Sequence, residues 1–225
     1  MPRREPQRYY PIALDVSGKK CLVVGGGTVA LRKVRGLIEC GAKVTVVAPE
    51  LCASLGAMAR KGAVLYRKKS YSEADLKGAV LVIGATDDLR VNEAVSAQAR
   101  RRGILVNIVD DPGLCSFHIP STLRRGPVAV AVSTGGASPA LAARLSRLIG
   151  GTIGPEYGRL AELLGRMRAF AREKIESQAA RKAAFNDIIN PEILGLLAAG
   201  RTREAEKRAR ECILLWSGQT TRPRR

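Results

Sequence analysis

Cys21-Leu22-Val23-Val24 runs straight into Gly25-Gly26-Gly27-Thr28-Val29-Ala30, and no other stretch limits the fold as sharply. A short apolar run closed by glycines is the form of a strand buried on both faces of a parallel sheet. The segment fits G-x-G-x-x-A. Beyond it Ala30, Val34, Leu37 and Ile38 repeat at helical spacing as far as Cys40, with Gly41 as the stop. Strand, glycine turn and helix in that order form the context in which the motif cradles a dinucleotide pyrophosphate. Gly25 permits the tight turn, Gly27 lets phosphates approach the backbone, and Ala30 keeps the helix close to the sheet. Thr28 and Val29 open the helix, whose free N–H groups carry partial positive charge. The alternative is a glycine turn used only for packing.

The pattern repeats. Val44–Val47, Val64–Tyr66, Val80–Ile83 and Ile104–Val109 predict four more strands, and Leu51–Lys61 and Val91–Arg101 predict helices between them. Strands alternating with helices imply right-handed crossovers and a parallel sheet covered on both faces. After the turn Asp110-Asp111-Pro112-Gly113 comes one more strand, Val128–Val132, preceded by a break at Arg124-Arg125-Gly126-Pro127. Ser138-Pro139 then opens a helix, with serine as N-cap and proline in the first turn. From Pro155 onward only helical spacing remains: a stripe from Leu160 to Ile175, then Ala179–Ile189, Pro191–Ala199 and Thr202–Leu214. The expected fold is α/β. A Rossmann-type sheet domain spans residues 1–112, a small linking α/β segment 113–150, and a helical C-terminal domain 151–225. The ends are expected to be loose, with an apolar edge segment at Tyr9–Leu14.

Charge narrows the partners. The 225-residue chain has 38 Lys+Arg against 20 Asp+Glu, a formal +18. The excess is spread, +8 over residues 1–112 and +10 over residues 113–225. Such a field attracts polyanions, whether nucleic acid, anionic membrane or a multiply charged small molecule; solubility alone is the plainer reading. Five cysteines with no close pair, and His118 as the only histidine, leave neither a disulfide framework nor a Cys/His zinc site. No apolar stretch reaches membrane-spanning length and the N-terminus shows no signal core, so the expectation is a cytoplasmic protein. His118, in Phe117-His118-Ile119-Pro120, reads first as structural and second as a proton-transfer or chelating group.

Dinucleotide sheets usually carry an acid at the end of the second strand for the ribose hydroxyls. Here Val47-Ala48-Pro49 intervenes, and the first acid is Glu50, 25 positions after Gly25. No basic pair replaces it, which favours NAD over NADP.

Taken together, Tyr10-Pro-Ile-Ala-Leu14, Cys21–Ala30 with Arg32-Lys33, Val44–Glu50, Gly84-Ala-Thr-Asp-Asp88 with Asn92, Val106–Asp110, Ser116-Phe117 with Pro120, and Val130–Pro139 resemble the precorrin-2 dehydrogenase family. That family includes stand-alone enzymes and the N-terminal module of siroheme synthase. The resemblance covers residues 9–148 and is only compositional beyond. It implies NAD-dependent oxidation of precorrin-2, a tetrapyrrole polycarboxylate, to sirohydrochlorin. It also implies a homodimer formed through the segment after the sheet domain.

The resemblance makes Asp110 the catalytic carboxylate, at the end of the fifth strand, where open α/β sheets place ligands. Asp111 is the neighbouring competitor, and from residue chemistry alone both could be a polar turn. Gly25, Gly27, Thr28 and Val29 carry over as phosphate contacts, Pro49 and Glu50 as a second NAD contact, and Thr86 as a group near the nicotinamide. Asp87 and Asp88 are expected to cap the next helix. Ser133, Thr134 and Gly135, with Arg124, are candidates for the substrate carboxylates, offering N–H groups and a cation; a solvated turn is the alternative. The implied cleft lies where the sheet domain meets the following segment. No resident metal is expected. Two other functions stay open: the same site also inserting ferrous iron to make siroheme, or an NAD(H)-sensing regulator that binds nucleic acid. Only about 18 residues precede the first strand, too few for an N-terminal helix-turn-helix, and the C-terminal helices show no recognition-helix pattern, so no nucleic acid is expected; without a membrane-spanning stretch, no membrane partner is expected either.

Overall fold

The computed structural model describes residues 9–218. The start of the expected loose head and all of the tail from Arg222 lie outside the described residues. The chain forms two compact units, residues 1–119 and 120–225.

In the first unit, five parallel strands pair in the order β3-β2-β1-β4-β5. They are β1 Lys20–Val24, β2 Lys43–Ala48, β3 Leu65–Lys68, β4 Leu81–Gly84 and β5 Leu105–Ile108. Helices α1 Thr28–Glu39, α2 Ala53–Arg60 and α3 Leu89–Arg101 make crossovers. The strands are apolar on both faces because both are covered. Val23, Val46 and Ile83 pack with Val34 of α1 and Leu55 of α2 on one side, while Leu22, Val82 and Val106 pack with Val95 and Ala99 of α3 on the other. Each such fully buried aliphatic side chain contributes about 1.5–3 kcal/mol of transfer free energy. Reversal of strand order between β1 and β4 leaves a crevice at the carboxyl ends of the strands.

Residues 113–119 belong with the sheet. Ser116 donates its N–H to the Val106 carbonyl at 2.8 Å, and its Oγ accepts the Val106 N–H at 2.8 Å. Asn107 Nδ2 donates to the Phe117 carbonyl at 3.0 Å. This segment covers the outer edge of β5 and satisfies groups that an open edge would expose. The Tyr9–Leu14 segment, expected along a sheet edge, forms no strand; Tyr10 and Ile12 are 89% and 68% exposed.

One buried charge holds the far edge. Asp75 is 1% exposed and accepts from Arg67 Nη1 (2.9 Å), Lys69 Nζ (2.7 Å), the Ser72 N–H (3.0 Å) and Ser72 Oγ (3.1 Å). Burial pushes its pKa up, but the bonds from Lys69, Ser72 and Arg67 outweigh burial and hold it at about 2. A folded-state pKa below the unfolded value stabilises above the unfolded pKa, and the gain is lost as pH falls from about 4 towards 2. At neutral pH it amounts to about 2 kcal/mol. Asp75→Asn should therefore lower Tm at pH 7 by several degrees, and thermal melts should show the gap to the parent narrowing below pH 4.

In the second unit, β6 Ser121–Arg125 and β7 Val128–Val132 form an antiparallel hairpin, followed by α4 Pro139–Thr152, α5 Pro155–Lys174, α6 Gln178–Ile188, α7 Pro191–Ala198 and α8 Thr202–Ser217. Strand β6 is a correction to the expected break at 124–127. Its residues Ser-Thr-Leu-Arg-Arg carry no apolar run, and pairing is imposed by a two-residue turn with Gly126 at φ +55° before Pro127. Arg125 then donates to the carbonyls of Ile153 (3.0 Å) and Gly150 (3.3 Å) at the end of α4. Leu163, Met167, Ile175, Ile188, Ile193, Leu197 and Ile213 form the core shared by α5–α8. The backbone divides once, after Ile119, and in the second unit α4 and α5 both pack on the hairpin.

Candidate active site

Strand register sets the carboxyl edge of the sheet. Val24 pairs with Val47 and Gly84, and Gly84 with Ile108. The segments that follow, Gly25–Thr28, Pro49-Glu50, Ala85-Thr86 and Val109–Asp111, therefore emerge along one edge of one unit.

The three loop glycines have three different reasons to be glycine. Gly25 has φ +122°, and a Cβ there would lie 2.1 Å from the Ala85 carbonyl oxygen. Gly26 faces the Glu50 carbonyl, where a Cβ would come within 1.8 Å. A Cβ on Gly27 meets nothing within 4 Å, and its backbone, φ −79° and ψ −172°, suits any residue. Glycine at 27 therefore satisfies no contact within the chain; it leaves a space. That space lies at the N-terminus of α1, whose N-cap makes no side-chain bond and whose first turn holds no acid. The first-turn N–H groups at Thr28 and Val29 are open to an anion. A pyrophosphate fits this donor set and this room. Gly26, whose side chain position is filled by chain, escaped the sequence reading because the motif leaves that position free.

At the end of β2, Pro49 and Glu50 are exposed, and Tyr66 Oη donates to the carbonyls of Ala48 (3.1 Å) and Pro49 (3.2 Å). Tyr66 was not anticipated; it steadies the corner that carries Glu50. At the end of β4, Thr86 is half-buried and its Oγ1 accepts the Asp88 N–H at 3.2 Å. Asp88 caps α3, accepting from Arg90 and Val91 N–H at 2.9 and 3.3 Å.

The two aspartates after β5 separate cleanly. Asp110 is exposed and has φ +61°, the only positive φ outside glycine among the described residues. A non-glycine residue held there marks a constrained position. Asp111 spends Oδ1 on the N–H groups of Gly113 (3.0 Å) and Leu114 (3.3 Å) as cap of a short 3-10 turn. The polar-turn reading thus applies to Asp111 and leaves Asp110 available.

Helix α3 braces both turns with a polar stripe that is buried at Asn92 and Ser96 and exposed at Arg100. Asn92 Nδ2 donates to the Thr86 carbonyl (2.8 Å), Ser96 Oγ to the Leu114 carbonyl (2.7 Å), and Arg100 Nη2 to the carbonyls of Cys115 (2.7 Å) and Gly113 (3.3 Å). Asn92 and Ser96 are 5% and 2% exposed. Polar residues at i, i+4 and i+8 on an apolar face were the signal in the sequence. Lys33 on α1 is half-buried, and burial foremost, then Arg32, lowers its pKa while Asp110 and Cys115 pull it upward.

The second unit carries Ser133, Thr134, Gly135 and Arg124. Ser133 Oγ accepts the Gly135 N–H (3.2 Å), and Thr134 Oγ1 accepts the Ser138 N–H (3.0 Å) and donates to its carbonyl (3.1 Å). These bonds shape the loop before α4 and occupy several of the groups expected to face a ligand. Arg124 is exposed on β6. His118 meets Tyr9 edge-on at 4.5 Å, a packing contact. Among the described residues no group of His, Cys, Asp and Glu could hold a metal ion, and no helix is long and apolar enough to cross a membrane.

Comparison with known proteins points to one family. Residues 12–121 match the family model described as putative NAD(P)-binding, 125–150 the sirohaem biosynthesis protein central model, and 156–213 the sirohaem synthase dimerisation region. Siroheme synthase of Nitrosococcus oceani is 43% identical over 199 residues, covering 88% of this chain and 42% of that protein. Siroheme synthase of Nitrosospira multiformis is 42% identical, covering 88% and 43%. The chain therefore spans less than half the length of these relatives. The solved structure of SirC, a precorrin-2 dehydrogenase, superposes with a TM-score of 0.74 at 28% identity, over 90% of this chain and all of that one. With three successive family models in order and a matching fold across both units, the chain belongs to the precorrin-2 dehydrogenase and siroheme synthase family.

Proposed function

We propose that this chain oxidises precorrin-2 to sirohydrochlorin in siroheme synthesis, with NAD as acceptor and Asp110 as the proton-accepting carboxylate. The observation that carries the reading is the pairing, on one sheet edge, of an open glycine cradle at Gly27 with an exposed carboxylate at Asp110, two strands away. Gly25, Gly27, Thr28 and Val29 would hold the pyrophosphate, Pro49 and Glu50 the adenosine ribose, and Thr86 the nicotinamide side. NAD bound there supplies a hydride acceptor. Removing two electrons from the macrocycle as hydride obliges a proton to leave as well, and a carboxylate at Asp110 can take it. Glu50 accepts hydrogen bonds from ribose hydroxyls and repels a 2′-phosphate, which favours NAD. Lys68, in register with Ala48, is the competing cation at that corner.

Ser133, Thr134, Gly135 and Arg124 are proposed contacts for the substrate carboxylates, within a field of +18 that draws in a polyacid. The dimerisation-region match over residues 156–213 supports a homodimer. Five cysteines, none in a disulfide, support a cytoplasmic setting.

Purified protein supplied with precorrin-2 and NAD should show NADH and the sirohydrochlorin chromophore rising together, with slower turnover on NADP and a rate that falls with added salt. A protein that binds NADH yet produces no chromophore would refute the assignment.

A further inference from the structure

Asp110 sits in a conformation that its own backbone does little to hold. The turn around it closes with an Asp111 N–H to Ile108 carbonyl distance of 3.5 Å, at the limit of a hydrogen bond. A thiol does the closing instead. Cys115 Sγ lies 3.2 Å from the Ile108 nitrogen, 3.2 Å from the Ile108 oxygen and 3.2 Å from the Asp111 oxygen, with Asn107 Nδ2 at 3.4 Å. Two N–H groups donate to the sulfur, and its single proton serves one of two carbonyls. Those carbonyls belong to the residues on either side of Val109-Asp110. We propose that Cys115 is a positioning residue for Asp110: its thiol ties the two flanks of the left-handed turn and keeps the carboxylate at the sheet edge.

Two further observations favour positioning over general stability. The loop that carries Cys115 is anchored without the thiol, through Ser96 to Leu114, Arg100 to Gly113 and Cys115, and Asp111 to the 3-10 turn. At Ile108 the sulfur alone joins this anchored loop to the backbone, while at Asp111 it shares the carbonyl with the Leu114 N–H at 3.3 Å. Burial also raises the Cys115 pKa, more than the Ile108 N–H lowers it, so the group stays a thiol with a proton to donate.

This inference rests on Asp110 being the catalytic carboxylate, and the experiment separates the two. Kinetics of precorrin-2 oxidation, NADH binding and thermal melts are compared for the full chain, Cys115→Ala, Cys115→Ser, Asp110→Asn and the Cys115→Ala/Asp110→Asn double variant. Cys115→Ala should lose about tenfold or more in kcat with KM for NAD and NADH affinity within about twofold, as expected for a displaced reacting group. Cys115→Ser, which keeps a donor and an acceptor, should recover most of that loss, and the double variant should be no slower than Asp110→Asn. Wild-type kcat in Cys115→Ala, equal losses in Ala and Ser, or additive losses in the double variant would overturn the role of the thiol. If Asp110→Asn itself turns over normally, the catalytic reading falls instead.

Discussion

Asp110→Asn should bind NADH as the parent does, melt at the same temperature, and lose turnover by about 10²–10⁴-fold, the range for removal of a positioned general base. The substitution is chosen for the backbone. Asp110 occupies φ +61°, and asparagine tolerates that region as well as aspartate does, so the fold is not strained. Alanine there would cost about 1 kcal/mol in backbone strain and blur the result. Asp111 gives the contrast. Its carboxylate caps the turn through Gly113 and Leu114, so Asp111→Ala should lower stability by about 1 kcal/mol while slowing turnover far less than Asp110→Asn. Initial rates, NADH titration and melts on the two variants decide the order. If Asp111→Ala lost the rate and Asp110→Asn kept it, the roles of the two neighbours would be exchanged.

That contrast also shows where sequence reading stops. The parallel strands were legible because burial on both faces demands runs such as Val44–Val47 and Val80–Ile83, and the glycine loop was legible because its neighbours were. Two adjacent aspartates are the same letter; only the backbone angle at one and the capping bonds at the other tell them apart. Strand β6 was invisible because Ser121–Arg125 has neither an apolar run nor a strand period, and its pairing comes from the Gly126 turn and from the helices packed on it. On α3 the apolar stripe through Val95 and Ala99 was read correctly, but Asn92 and Ser96 share that buried face. A periodicity argument scores them as interruptions, whereas each satisfies a carbonyl in a turn at the sheet edge. Cys115 was counted only as an unpaired thiol, since nothing local in sequence announces bonds to Ile108 and Asp111.

The glycine loop predicts three outcomes from one substitution type. Gly27→Ala should express, melt as the parent does and lose NADH affinity by at least about tenfold. Its backbone angles suit alanine and its Cβ meets nothing in the chain, so the methyl enters only the open space at the start of α1, where the pyrophosphate is proposed to bind. Gly26→Ala and Gly25→Ala should fail earlier. One drives a methyl to 1.8 Å from the Glu50 carbonyl; the other puts it 2.1 Å from the Ala85 carbonyl at a φ of +122°. Neither neighbour is a flexible side chain, so the β1–α1 turn must part from β2 or β4. Overpacking of this kind costs about 1–3 kcal/mol or more, and the left-handed strain at Gly25 adds to it. Isothermal titration with NADH beside thermal melts separates the classes: an unchanged Tm with lost binding at 27, a lowered Tm at 25 and 26. Equal NADH affinity in Gly27→Ala and the parent would mean that the phosphates lie elsewhere, and the opening of α1 would then be a packing turn.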